Sequence, residues 1–163
     1  MPPVGPLQLE LAKKEKVISV TREYDTDIIT LFHASGDFHY RHRWQEGVKS
    51  VEEVSHYLPR VGMRRRNVQD NGKVVIYASS YSFHPDRIEF TETDEAKKNS
   101  MGFTLEKIAD KKTKLTVDYF LEKNFFNVAL FSITKKSKMK ASLQRSLVNL
   151  GELSKEIKLP EQT

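Results

Sequence analysis

Residues 138–157, KMKASLQRSLVNLGELSKEI, decide the fold. Met139, Leu143, Leu147, Leu150, Leu153 and Ile157 recur at steps of four, four, three, three and four. At about 100° per residue these side chains occupy roughly one third of a helix circumference. Lys138, Lys140, Arg145, Glu152 and Lys155 fall on the opposite side, where water belongs. Gly151 costs up to ~1 kcal/mol relative to alanine, and Pro160 closes the pattern. The stretch predicts one long amphipathic helix, and most of the chain before it reads as strand. The helix is therefore expected to lie against a sheet.

Working outward, residues 48–58 read as a strand ended by Pro59, and 61–68 as the next. Asp70-Asn71-Gly72 is a hairpin signal, because asparagine and glycine tolerate positive φ. Residues 73–83, 87–93, 101–108 and 114–122 follow as strands, with a turn at His84-Pro85-Asp86. Leu115, Val117, Tyr119 and Leu121 alternate with Thr116, Asp118 and Glu122, and Phe120 breaks the pattern. Met101, Phe103 and Leu105 alternate likewise with Gly102, Thr104 and Glu106. One covered and one wet face is the mark of an antiparallel sheet backed on a single side. Upstream, 17–24 (VISVTREY) reads as the first strand. Asp25 or Thr26 is expected to cap a helix through Ile28, Ile29, Leu31 and Phe32 that Gly36 ends, and 37–47 to form a short irregular helix. Residues 1–16 read as a leader or linker and 17–159 as one domain.

A chain of 163 residues, 38% of them hydrophobic, can bury a real core. No stretch approaches the ~20 apolar residues a bilayer crossing needs, so stable membrane insertion is not expected. The opening MPPVGPLQLE lacks the basic-then-apolar order of a secretory signal. The absence of cysteine rules out disulfides, thiolate metal sites and a cysteine nucleophile, and it leans towards a reducing, cytoplasmic setting. The net charge of +5 and pI of about 9.3 favour acidic partners. The 27 basic residues are nevertheless spread among 22 acidic ones, as on a solvated surface, and no nucleic-acid partner is expected.

The order of one strand, two short helices, six antiparallel strands and a long helix resembles the START-like superfamily. This is the polyketide cyclase/dehydrase and lipid-transport group, with a helix-grip fold. Trp44-Gln-Glu-Gly-Val48 is similar to its tryptophan-then-strand entry, and Val61-Gly62 to the opening of its third strand. TKLTVDYFL at 113–121 resembles its last strand, and LQRSLVNLGEL at 143–153 its closing helix. The glycine-rich loop of its pathogenesis-related branch is absent: Leu58-Pro-Arg-Val-Gly62 stands there. The paired glycines of its Hsp90-activator-like branch are absent too. The resemblance implies an α+β fold whose curved seven-stranded antiparallel sheet wraps the C-terminal helix. It also implies a cavity for a small apolar or amphipathic ligand, lipid-like or polyketide-like, with no cofactor. Two other readings stay open: a cyclase/dehydratase-type enzyme using polar cavity side chains, and an interaction module, cut from a longer chain, whose cavity its own side chains fill. Either a monomer or a homodimer fits.

Candidate cavity residues follow from strand parity and helix face. They are Trp44, Val48, Met63, Tyr77, Tyr81, Phe90, Phe103, Val117, Tyr119 and Leu147, with Arg65 and Glu92 as charged members. The aromatics could equally be plain core packing. Within Arg64-Arg65-Arg66 the middle side chain faces away from its neighbours. It would share a face with Met63, positioned to hold a ligand carboxylate or phosphate or to pair with Glu53 or Glu92. Glu92 shares the parity of Ile88 and Phe90; a buried carboxylate with a raised pKa could act as general acid or base, or pair with an arginine. His56, Tyr77, Tyr81 and Tyr119 complete the candidate acids and bases, and no catalytic residue is assigned. Five histidines, among them His39 and His42, lack metal-site spacing, so no metal is expected. Lys135, Lys136, Lys138 and Lys140 lie near Phe125, Phe126 and Phe131. They read as a solvated basic turn beside core phenylalanines, or as a membrane or single-strand nucleic-acid contact.

Overall fold

The structure, a computed structural model, describes residues 14–55 and 63–158. Strand β1 (Lys14–Tyr24) leads into helix α1 (Ile28–Gly36), a single 3-10 turn (Phe38–Tyr40) and helix α2 (Arg41–Trp44). Strands β2 (Val48–Ser55), β3 (Arg64–Gln69), β4 (Gly72–His84), β5 (Arg87–Asp94), β6 (Ser100–Ala109) and β7 (Lys112–Glu122) follow. Helices α3 (Phe125–Thr134) and α4 (Lys136–Glu156) complete the described chain. His56, Val61-Gly62 and Pro160 lie outside the described residues.

The seven strands form one sheet in the order β1-β7-β6-β5-β4-β3-β2, with every pairing antiparallel. From β3 to β7 the meander runs through short connections, and β1 joins it beside β7. At the β3–β4 hairpin the turn is Asp70-Asn71, and the positive φ falls on Gly72 alone, at +132°. Register shifts at Lys16/Ile18, Ala78/Ser80 and Lys107/Ala109 bend the strands, as bulges do. The sheet is therefore a curved, open one whose concave face receives the helices.

Helix α4 lies in that curve. Leu143, Leu147, Leu150 and Leu153 are buried, and Met139 and Ile157 flank them half-buried. They meet Val20, Ile88, Phe90, Phe103, Leu105, Leu115 and Val117 of the sheet and Ile28 and Leu31 of α1 in one core. Tyr24 donates its hydroxyl to the Leu147 carbonyl at 2.8 Å, which ties β1 to α4. Where Gly151 would carry a Cβ, the Tyr24 ring stands 3.4 Å away, an ordinary contact.

Three expectations need correction. Asp27, not Asp25 or Thr26, caps α1, because its carboxylate accepts from both the Thr30 amide and the Thr30 hydroxyl. Strand β1 starts at Lys14, inside the stretch read as leader. Residues 125–134, given no element above, form a helix, α3, capped by the Asn124 side chain, and Lys136, Lys138 and Lys140 open α4 rather than a turn. Phe131 is buried there, but Phe125 and Phe126 stand in the open. Only one side of this short apolar segment finds the core.

Candidate functional site

Helix α2 starts the site. Phe38, Arg41 and Trp44 follow at steps of three, so they share one face of the helical segment, and all three are buried. That face carries the Arg41 guanidinium into the concave side of the sheet. There it lies 4.9 Å from the Trp44 ring centroid and 5.4 Å from that of Phe103. Glu92 reaches the same point from β5 and Arg65 from β3. Arg41 donates to both carboxylate oxygens of Glu92 at 2.7 Å. Arg65 does the same at 2.8 and 2.9 Å. One carboxylate thus accepts two bidentate pairs, filling its acceptor capacity.

The surroundings hold this cluster in place. Arg41 also donates to the Ser35 carbonyl at 2.9 Å and to Gln45 Oε1 at 3.2 Å, while Arg65 Nε donates to Asn67 Oδ1 at 3.0 Å. Arg41 Nε is left without a partner. Burial pushes the Glu92 carboxyl up, but the charges of Arg41 and then Arg65 outweigh it and hold the group at about 2. Burial also lowers Arg41, which Glu92 opposes and Arg65 reinforces. A carboxylate so firmly ionised is no general acid. The raised pKa expected for a buried Glu92 is overturned, because two guanidiniums offset its desolvation. The cluster keeps one positive charge in excess.

Beside it opens a cleft of about 830 Å³ between the outer part of the sheet and helices α3 and α4. Its inner wall is Arg65, Glu92 and Asn67; its apolar walls are Val74, Ile76, Met101, Tyr119, Leu121, Leu130, Phe131 and Met139. Lys97, Lys135, Lys138 and Arg145 stand on its rim with Glu46 and Asp94. Tyr119 packs against Phe131 at 5.7 Å between ring centroids, and burial pushes its hydroxyl up to about 12.

Of the expected cavity residues, Arg65, Glu92 and Tyr119 line this cleft. The aromatic group beside them is closed up by its own packing. Tyr81 stacks on Phe90 at 5.6 Å, Phe90 on Phe103 at 4.5 Å, and Trp44 meets Phe103 edge-on at 6.4 Å. Burial, then the nearby Glu92 charge, raises Tyr81 to about 12. Val117 and Leu147 belong to the same core, Met63 packs with Phe38 and Ala78, and Val48 is buried on β2. Tyr77 sits between Ile76, which lines the cleft, and the buried Ala78. Its strand position therefore turns it to the other face, so it is no part of the concave site. Arg64 and Arg66 likewise turn outward, to Glu95 and Glu52.

Arg41 is the functional residue that sequence reasoning missed. Its spacing of three from Trp44, within the short helix expected over 37–47, was the signal that could have found it. Asn67 was available from strand parity with Met63 and Arg65. Among the described residues no three histidine, aspartate or glutamate side chains come together as a metal site. No helix there is long and apolar enough to cross a membrane.

No family model matches the chain, and no curated protein does. Solved structures resemble it in fold. A hypothetical protein of Helicobacter pylori has a TM-score of 0.66 at 12% identity, over 86% of this chain and 89% of that one. A protein of Mesorhizobium loti has a TM-score of 0.62 at 15% identity, over 87% and 98%. A START superfamily protein of Mycobacterium smegmatis has a TM-score of 0.59 at 16% identity, over 88% and 97%. At such identities the likeness is one of architecture: the chain has a helix-grip fold shared with a START superfamily protein.

Proposed function

We propose that the protein binds a small amphipathic ligand in the cleft, with an anionic or strongly polar head at Arg65 and an apolar body along Met101, Tyr119, Phe131 and Met139. The observation that carries this reading is the cleft's two-ended lining. A buried cluster with excess positive charge closes one end, and apolar side chains from three strands and two helices form the walls. A volume of about 830 Å³ suits a lipid-sized molecule. The apolar body supplies most of the affinity, at ~25 cal/mol per Å² buried, and the guanidinium edge supplies orientation. Binding rather than catalysis is favoured because Glu92 stays ionised and Tyr81 and Tyr119 stay protonated around neutrality. A cytoplasmic carrier or sensor of such a ligand is the role this chemistry fits.

The test is native mass spectrometry of freshly purified protein for a bound small molecule, followed by calorimetric titration with lauric acid and with dodecanol. Lauric acid should bind more tightly by roughly tenfold, the worth of a charge-assisted pair. Met101→Trp, which fills the wall, should abolish binding of both. Absence of any bound molecule together with silence towards both probes refutes the reading.

A further inference from the structure

Helix α3 presents a second feature, which shares Leu130 with the cleft. Phe131 and the half-buried Val128 seat one side of it. At about 100° per residue, Phe126, Leu130 and Ile133 cluster on the opposite side, with Phe125 beside them. These four are exposed by 84% (Phe125), 82% (Phe126), 63% (Leu130) and 84% (Ile133). Four large apolar side chains on ten residues of one helix form a patch that water alone does not suit.

The charge along this stretch of chain is one-sided, with Glu122 the acid before it and Glu152 the next after it. From Lys123 to Gly151 there is no acidic residue, while Lys123, Lys135, Lys136, Lys138 and Lys140 are all exposed. The lysine ion pairs among the described residues fall elsewhere in the molecule. An apolar helical face bracketed by uncompensated lysines complements a surface with an apolar interior and anionic headgroups. We infer that α3 docks the protein peripherally on an anionic membrane surface, with Phe125, Phe126, Leu130 and Ile133 entering the interface and the lysines meeting the headgroups. At ten residues α3 lies in the interface and does not span. A second copy is the poorer occupant, because a twofold contact brings the two lysine clusters face to face. Leu130, Phe131 and Lys135 also line the cleft, so docking sets the cleft mouth beside the bilayer. The inference stands on α3 and needs no ligand in the cleft.

The test is flotation of the full chain, freed of ligand, with vesicles of phosphatidylcholine alone or with about one third phosphatidylserine. The protein should float with the anionic vesicles, and less so as salt is raised. Phe126→Ser/Ile133→Ser should weaken flotation by at least roughly tenfold, and Lys136→Glu/Lys140→Glu by a similar factor. All four positions are exposed, so melting temperature and circular dichroism should stay unchanged. Lauric acid affinity of the Phe126→Ser/Ile133→Ser variant should also be unchanged, which separates docking from binding in the cleft. Three results overturn the inference: failure of the native chain to float with either vesicle, undiminished flotation of the Phe126→Ser/Ile133→Ser variant, or a dimer in light scattering that this variant disperses while vesicles bind nothing.

Discussion

Replacing Glu92 with glutamine tests the charged cluster directly. The substitution keeps the shape of the side chain but leaves Arg41 and Arg65, both buried, facing each other without a counter-ion. Removing one partner of a buried pair costs ~3–5 kcal/mol. The depressed Glu92 carboxyl gives a second figure: its folded value of about 2 lies below the ordinary 4.5. At 1.36 kcal/mol per unit that gap is worth ~3 kcal/mol. The folded-state value is depressed, so the stabilisation is complete above the ordinary carboxylate value. It is lost as pH falls from about 4.5 through about 2. Glu92→Gln should therefore lower the melting temperature near neutrality by roughly 6–20 °C, at ~2–4 °C per kcal/mol for a chain of this length. Urea denaturation at a series of pH values should show the native chain losing this increment in acid and the variant lacking that part of the slope. Arg41→Met/Arg65→Met/Glu92→Met should recover most of the loss, since the cost comes from the unpaired charges. A Glu92→Gln variant within ~1 kcal/mol of the native chain at neutral pH would refute the reasoning.

Two further substitutions test the seating of α4. Leu147→Asp, which sets an unpaired carboxylate in the core, should cost several kcal/mol. Arg145→Asp should leave the urea midpoint nearly unchanged, because it breaks only the exposed pair with Glu46; equal losses in urea denaturation would mean a rotated helix. Gly151→Ala should stabilise the protein by ~0.5–1 kcal/mol, since a methyl group there meets the Tyr24 ring at ordinary contact distance. A lowered urea midpoint would show that the contact is tighter than the backbone implies.

The sequence by itself determined the elements with strong periodicity. The stripe from Met139 to Ile157 specified both the existence of α4 and the face it buries, since a helix fixes side-chain direction at each residue. Period-two alternation did the same for β6 and β7, and Asp70-Asn71-Gly72 marked its hairpin. Arg65 and Glu92 were legible as inward for the same reason: in a strand, parity is direction. Tyr77 was misjudged because the register shift between Ala78 and Ser80 breaks parity along β4, so Tyr77 and Tyr81 face opposite ways although they stand four residues apart. Tertiary structure alone decided which charges meet. Arg41, Arg65 and Glu92 come from α2, β3 and β5, and only folding the meander around α4 brings them within hydrogen-bond distance. That meeting reversed the expected direction of the Glu92 pKa, because the sign depends on whether counter-charges accompany burial. Packing also decided that the aromatics of Tyr81, Phe90, Phe103 and Trp44 fill space while the cleft opens beside them. It left one face of α3 in the open, since an apolar helix next to a sheet can bury only the side that reaches it.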